Sequence, residues 1–254
     1  MDKIPLLVAV LLTWVAGFVD AVGFISLGRI YTANMSGNSV SVGIAISSQN
    51  WVVLFYRIWP VITYVGGLIS CRILLEIGAR ERIRAIASVA FASEIVLLAP
   101  VCILGLPPRP ASSELPIAYI ALLAFAMGAQ NGILTRFSSH TLHTGFVTGT
   151  LLKFAEQFTK FLTESFDRFR AGDTLRRALL STRNEKSFRM SSLLAGMYAA
   201  YIIGAVCGGF GDHVFSLKAL AAPMVCLLGL IPLDLKRRLA SQDEEQQAWI
   251  SESE

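Results

Sequence analysis

Two carboxylates stand at depths of this chain where an apolar segment has no structural need of them. Asp20 follows Gly17-Phe18-Val19 and precedes Ala21-Val22-Gly23, and Glu94 lies between Ser93 and Ile95 in a long apolar run. A carboxylate in the hydrocarbon layer costs roughly 2.5–3.5 kcal/mol on insertion scales, so such residues usually face a cavity or a partner. Asp20 therefore either binds a polar solute or a proton, or lies near the outer interface and simply caps or pairs with Arg29. Glu94 either exchanges protons or pairs with Arg57 or Arg72. Both are candidates for proton coupling.

Asp20 also belongs to a pattern that occurs twice, roughly 110 residues apart. Gly17-Phe18-Val19-Asp20-Ala21 leads to Ser36-Gly37-Asn38, and Gly128-Ala129-Gln130-Asn131-Gly132 leads to Thr148-Gly149-Thr150. Gly17 aligns with Gly128, Asp20 with Asn131, Ser36 with Thr148 and Gly37 with Gly149. Corresponding polar interruptions in two apolar segments are the best sequence pointer to a transport site. The amides of Gln130 and Asn131 can hold a polar solute, or they can join helices through hydrogen bonds.

The second part of each motif opens a new helix. A Ser or Thr there can cap exposed N–H groups, a Gly admits close approach of a backbone or solute, and a helix N-terminus favours an anion. Tyr31 and Asn34, with His140 and His143, lie in the linkers that precede these helices. No acid or thiol stands near the two histidines, so no metal site is expected. The candidate solute-binding set is Asp20, Tyr31, Asn34, Ser36, Gly37, Asn38, Gln130, Asn131, Thr148 and Gly149.

The elements that must position these residues are membrane helices. Of 254 residues, 54% are hydrophobic and 16% charged, against about 25% charged in a soluble domain. Six apolar segments reach the roughly 20 residues that cross a bilayer as a helix: Pro5–Leu27, Ile58–Gly78, Ile83–Leu106, Leu115–Leu134, Met190–Gly211 and Ser216–Leu235. The expected fold is all-α, with six spans in two inverted three-helix repeats at about 5–106 and 115–235. Three prolines in Leu106-Pro107-Pro108-Arg109-Pro110 mark the boundary between them. Asp20 and the absence of a small-residue cleavage site argue for a retained first helix rather than a secretory signal.

Charge sets the orientation. Only Arg29, Arg57, Arg109 and Lys218 fall on the side opposite the other 18 of the 22 Lys and Arg residues. Both termini are therefore expected in the cytoplasm, and the net charge of +4 describes that face, not a nucleic-acid surface. Cys71, Cys102, Cys207 and Cys226 all fall in spans, where reduced thiols act as small apolar fillers. Gly66-Gly67 and Gly204, Gly208, Gly209 and Gly211 occupy corresponding spans and suit close helix packing.

Between the fourth and fifth spans, the insertion 151–189 is amphipathic and basic. Leu151, Phe154, Ala155, Phe158, Phe161, Leu162, Phe166 and Phe169 share one helical face. Glu156/Lys160 and Glu164/Arg168 are spaced for ion pairs on the other. Such a helix either lies in the membrane interface or packs its Phe face on the protein. Residues 170–189 read as a polar connection, partly disordered, and 239–254 as a disordered acidic tail.

The run from Val19-Asp20-Ala21-Val22-Gly23-Phe24 to Tyr31-Thr32-Ala33-Asn34-Met35-Ser36-Gly37-Asn38 resembles the opening signature of the YoaK family. Gly128-Ala129-Gln130-Asn131-Gly132 and Thr148-Gly149 resemble its second signature. The likeness extends from about Leu6 to Leu235. It departs at Ser36, where the family often has Thr, and at Thr150, where it often has Asn. The resemblance implies a six-span protein of the bacterial inner membrane, and it implies no substrate.

With no P-loop, dinucleotide fingerprint, H-E-x-x-H or G-x-S-x-G motif, no enzyme is expected. The expectation is secondary transport of a small polar or anionic solute, without cofactor or metal. Its partners are the solute and the lipid bilayer, with room for a homo-oligomer and none for nucleic acid. The alternative is a membrane scaffold or regulatory subunit acting through 151–189.

Overall fold

Long apolar stretches give long helices, even with Pro60 and Pro100 inside two of them, and the computed structural model is all-α across the residues it describes, 3–81, 85–105, 117–137, 147–172, 174–182 and 185–237. In chain order these are α1 (Lys3–Ser26), α2 (Met35–Ser47), α3 (Trp51–Arg80), α4 (Ile86–Leu104), α5 (Ile117–Phe137), α6 (Val147–Arg170), α7 (Leu175–Thr182), α8 (Lys186–Phe215) and α9 (Ala221–Arg237). Among the described residues, five stretches are long and apolar enough to cross a membrane, and the last of them runs from Lys186 to Lys236. That stretch is interrupted at Ser216, whose φ of 52° lies in the left-handed region. A short 3₁₀ turn (Ser216–Leu220) follows, and α9 starts there with Pro223 in its first turn.

The helices pair across the halves of the chain. α1 packs chiefly on α8, and α3 chiefly on α5. Along α1, Trp14, Phe18 and Ser26 meet Gly204, Gly208 and Asp212 in turn, so α1 and α8 run parallel. Along α3, Gly67 meets Phe125, while Leu68 and Cys71 meet Gly132, so α3 and α5 are also parallel. α4 and α9 are antiparallel: Ser88 bonds Asp234 near one end, and the Cys102 thiol meets the Lys218 carbonyl near the other. Val8, Leu12, Phe91, Leu98, Leu123 and Met127 are among the fully buried core side chains.

Several expectations change. The second long helix starts at Trp51, seven residues before Ile58, because Asn50 caps it by accepting from the Val53 N–H at 3.1 Å. Residues 170–189 are not a plain connection, since they contain α7 and the first turn of α8. Neither expected ion pair on α6 forms among the described residues. Arg168 instead reaches Glu185 at 2.6 Å, and Glu164 accepts from the Ser187 hydroxyl. Once α8 supplies partners across the interface, pairs along the helix surface, worth only a few tenths of a kcal/mol, give way. The prolines at 107–110 and the tail 239–254 lie outside the described residues.

Candidate functional site

Glycine determines how closely the helices approach at the two motifs. A Cβ on Gly17 would overlap the Tyr201 carbonyl, and one on Gly128 would overlap the Tyr64 carbonyl. The contact is reciprocal. A Cβ on Gly204 would overlap the Trp14 carbonyl, and one on Gly67 the Phe125 carbonyl. One spacing separates Trp14, Gly17 and Asp20 from Phe125, Gly128 and Asn131. A second spacing separates Tyr64 and Gly67 from Tyr201 and Gly204. Backbone-to-backbone packing of this kind needs small residues at the crossing, as in membrane helix pairs generally.

Each crossing brings a tyrosine to the polar residue of its motif. The Tyr201 hydroxyl donates to Asp20 at 2.6 Å. Asn131 Nδ2 donates to the Tyr64 hydroxyl at 2.7 Å and to the Met127 carbonyl at 3.1 Å. The helices that carry the two motifs, α1 and α5, also pack on each other.

Asp20 is 2% exposed and its carboxylate is enclosed by donors. The N–H groups of Thr32 and Ala33 donate to Oδ1 at 2.6 Å each, and that of Asn34 to Oδ2 at 3.1 Å. The Thr32 hydroxyl adds a bond of 3.3 Å. Arg29 is exposed and is not among its partners. Charge-assisted bonds from several backbone N–H groups are the usual way a buried carboxylate is held without a cation. Asp20 thus fixes the loop that enters α2.

The rest of the first motif supports that loop. Asn38, fully buried, donates from Nδ2 to the Tyr31 carbonyl at 2.7 Å and accepts the Tyr31 N–H at 3.2 Å. The Tyr31 ring lies 4.8 Å from that of Phe24, and a Cβ on Gly37 would meet it at 2.8 Å. Ser36 makes no cap. It is exposed, and its hydroxyl donates to Asn34 Oδ1 at 2.7 Å. Asp20 binds the N–H groups of Thr32, Ala33 and Asn34, which precede the first turn of α2 and lie twelve to fourteen residues after it in the chain.

In the second motif Gln130 donates from Nε2 to the Leu12 carbonyl at 2.8 Å, which ties α5 to α1, while its buried Oε1 has no hydrogen-bond partner among the described residues. Thr148 is exposed, Gly149 half-buried and Thr150 buried. No hydrogen bond joins them to the central cluster among the described residues. His140 and His143 lie outside those residues.

Glu94 lies on α4, the helix that packs on α9. It is 1% exposed, and among the described residues its Oε1 has no hydrogen-bond partner. It pairs with neither Arg57 nor Arg72. Arg57 is spent on the carbonyls of Arg29 and Gly28, which it meets at 2.5 and 3.3 Å. Arg72 lines a groove with Glu76 and Arg80.

Sequence alone missed Tyr64, Tyr201, Asp212 and Asp234. Asp234 accepts the N–H and hydroxyl of Ser88 at 2.7 and 2.6 Å, which caps α4 from α9. Asp212 accepts from Ser26 at 2.6 Å. The matching spacing of Tyr64-x-x-Gly67 and Tyr201-x-x-Gly204 was a signal that could have revealed the tyrosines.

Across 223 residues, 87% of this chain and 90% of the relative, the sequence is 23% identical to the UPF0700 transmembrane protein YoaK of Bacillus subtilis (strain 168). No solved structure matches. Together with the apolar helices, this likeness identifies a multi-pass membrane protein. Residues 8–233 match the family described as protein of unknown function (DUF1275), and the chain belongs to that family.

Proposed function

We propose that the protein is a secondary transporter of a small polar or anionic solute in the bacterial inner membrane. It crosses the bilayer six times as two inverted repeats, α8 and α9 being separate spans, with both termini in the cytoplasm. The observation that carries this reading is the matched pair of crossings, Gly17 with Tyr201 and Gly128 with Tyr64. Such repeats can rock against each other around a site where they meet. The parallel course of α1 with α8 and of α3 with α5 agrees with this topology, as does the antiparallel course of α4 and α9.

In this proposal Asp20, Tyr31, Asn34, Gly37 and Asn38 build the wall of the site. Tyr64, Asn131, Tyr201 and the unpartnered Gln130 Oε1 offer polar atoms near it, and Glu94 couples transport to protons. Asp20 is less suited to coupling, because its carboxylate is already held by five donors. The proposal includes no enzyme activity, metal, cofactor or nucleic acid, and it leaves a homo-oligomer open.

Reconstituted protein tested against a panel of small carboxylates, inorganic anions and neutral polar solutes decides the matter. Transport is supported by saturable flux of one class that depends on a proton gradient and loses that dependence in Glu94→Gln. If nothing moves while a partner is retained through 151–189, the scaffold alternative replaces transport. Reporter fusions after Pro108, after Asp173 and at the C-terminus test the topology, with the first expected outside and the others inside.

A further inference from the structure

α6 carries two apolar stripes, only one of which the protein covers. Phe154 packs on the core, Phe161 is buried with its ring 5.0 Å from that of Phe188, and Thr150 and Ser165 lie on the same covered side. The second stripe, Leu151, Ala155, Phe158, Leu162, Phe166 and Phe169, is exposed along its whole length. Its steps of three and four residues keep it on one face.

The direction of α6 is set by its partners on α8. Arg168 meets Glu185, Glu164 meets Ser187 and Phe161 meets Phe188. Over Phe161–Arg168 the two helices therefore run in opposite senses, and a straight α6 carried on along that line would pass later residues of α8. Lys186 and Arg189 mark the polar boundary of α8, and its apolar run follows. That course puts the start of α6 toward the apolar body of α8, while its end stands at the charged boundary. Leu151 lies about 15 Å along the axis from Phe161, at 1.5 Å per residue.

The first break shows a return of the chain into the fold. Asp20 sits six residues, or about 9 Å, before the end of α1, yet it binds the loop that starts α2. The chain thus leaves by α1, turns back to the depth of Asp20 and leaves again by α2, which packs on α3.

We infer that α6 is a re-entrant helix that descends beside α8, with its exposed apolar stripe in contact with lipid tails. Lys160 reaches toward the headgroups, and Arg170, Arg176 and Arg177, all exposed beyond it, are placed to meet anionic ones. Irregular backbone at membrane depth is tolerated where protein covers it, and at the first break Asp20 supplies that cover. An interfacial helix lying flat would place both ends of the stripe at equal depth. The opposite sense of the contacts from Arg168–Glu185 to Phe161–Phe188 supports unequal depths.

The test uses the full-length protein in vesicles of phosphatidylethanolamine and phosphatidylglycerol. In a background with the four native cysteines replaced, spin labels are placed by Leu151→Cys, Phe158→Cys and Phe166→Cys. Power saturation with oxygen and a water-soluble nickel chelate then gives the depth of each label. The expected result is oxygen access with depth decreasing in the order 151, 158, 166. Equal depths, water access at all three, or labels shielded from both reagents by another protein surface would each overturn the inference. If the cysteine-free chain does not fold, quenching by brominated lipid of Leu151→Trp and Phe166→Trp provides the same comparison. Deep bromines must then quench the former more strongly, and equal or reversed quenching overturns the inference.

Discussion

Tyr201 contacts α1 twice: its carbonyl lies against Gly17, and its hydroxyl donates to Asp20 at 2.6 Å, one turn further along. The helix approach that the glycine permits brings the hydroxyl within reach of the carboxylate. Packing and polar satisfaction are therefore coupled at one residue pair, and disturbing either should disturb the other.

Asp20→Asn should destabilise the protein. An amide at this position turns an NH₂ group toward backbone N–H donors that now have an acceptor, and each unsatisfied buried group costs roughly 1–3 kcal/mol. Tyr201→Phe removes one donor only and should cost about 1 kcal/mol. Thermal melting in detergent should rank wild type above Tyr201→Phe, and Tyr201→Phe above Asp20→Asn. Equal melting of all three would remove the cradle as a stabilising element.

Gly17→Ala and Gly128→Ala should each cost about 1–3 kcal/mol, because a methyl group forces two backbones apart. Gly196 and Gly229 face open space. Alanine there should be neutral, or stabilising by up to about 1 kcal/mol through helix propensity. Melting temperatures of the four variants check the contrast, and comparable losses at all four would count against backbone contact at the crossings.

Glu94→Gln should keep the fold and raise the melting temperature, since the change removes a buried charge-capable group whose Oε1 has no partner among the described residues. A marked fall in melting temperature would mean that the carboxyl holds a structural bond.

Residues 1–110 and 111–254, expressed separately, should each fail to give a stable membrane protein. Expressed together, they should co-purify through a tag on one, because α1 packs on α8 and α3 on α5. Independent stability of either half would contradict this exchange of partners.

The sequence made the helices legible because apolar length in a membrane chain has few alternative outcomes. The motifs were legible because Gly17 and Gly128 repeat, as do the polar sites Asp20 and Asn131. What the motif residues bind was not legible. Asp20 carries no local sign that its partners are the N–H groups of Thr32 to Asn34, since a backbone donor has no residue identity. Glu164 and Arg168 look like partners by spacing, and only the position of α8 redirects them to Ser187 and Glu185. α7 was hidden because eight residues are too few to establish a helical period.

The crossing of Asp20 with Tyr201 also fixes an order of events during synthesis. The two residues are 181 positions apart, so at roughly 5–20 residues per second the carboxylate waits on the order of 10 s for its tyrosine. During that interval the glycine face of α1 lies open in the bilayer, as does that of α3 until α5 arrives. A ribosome that stalls between the halves leaves two helices with unfilled grooves, and a protease that surveys the membrane can recognise such a chain as unfinished.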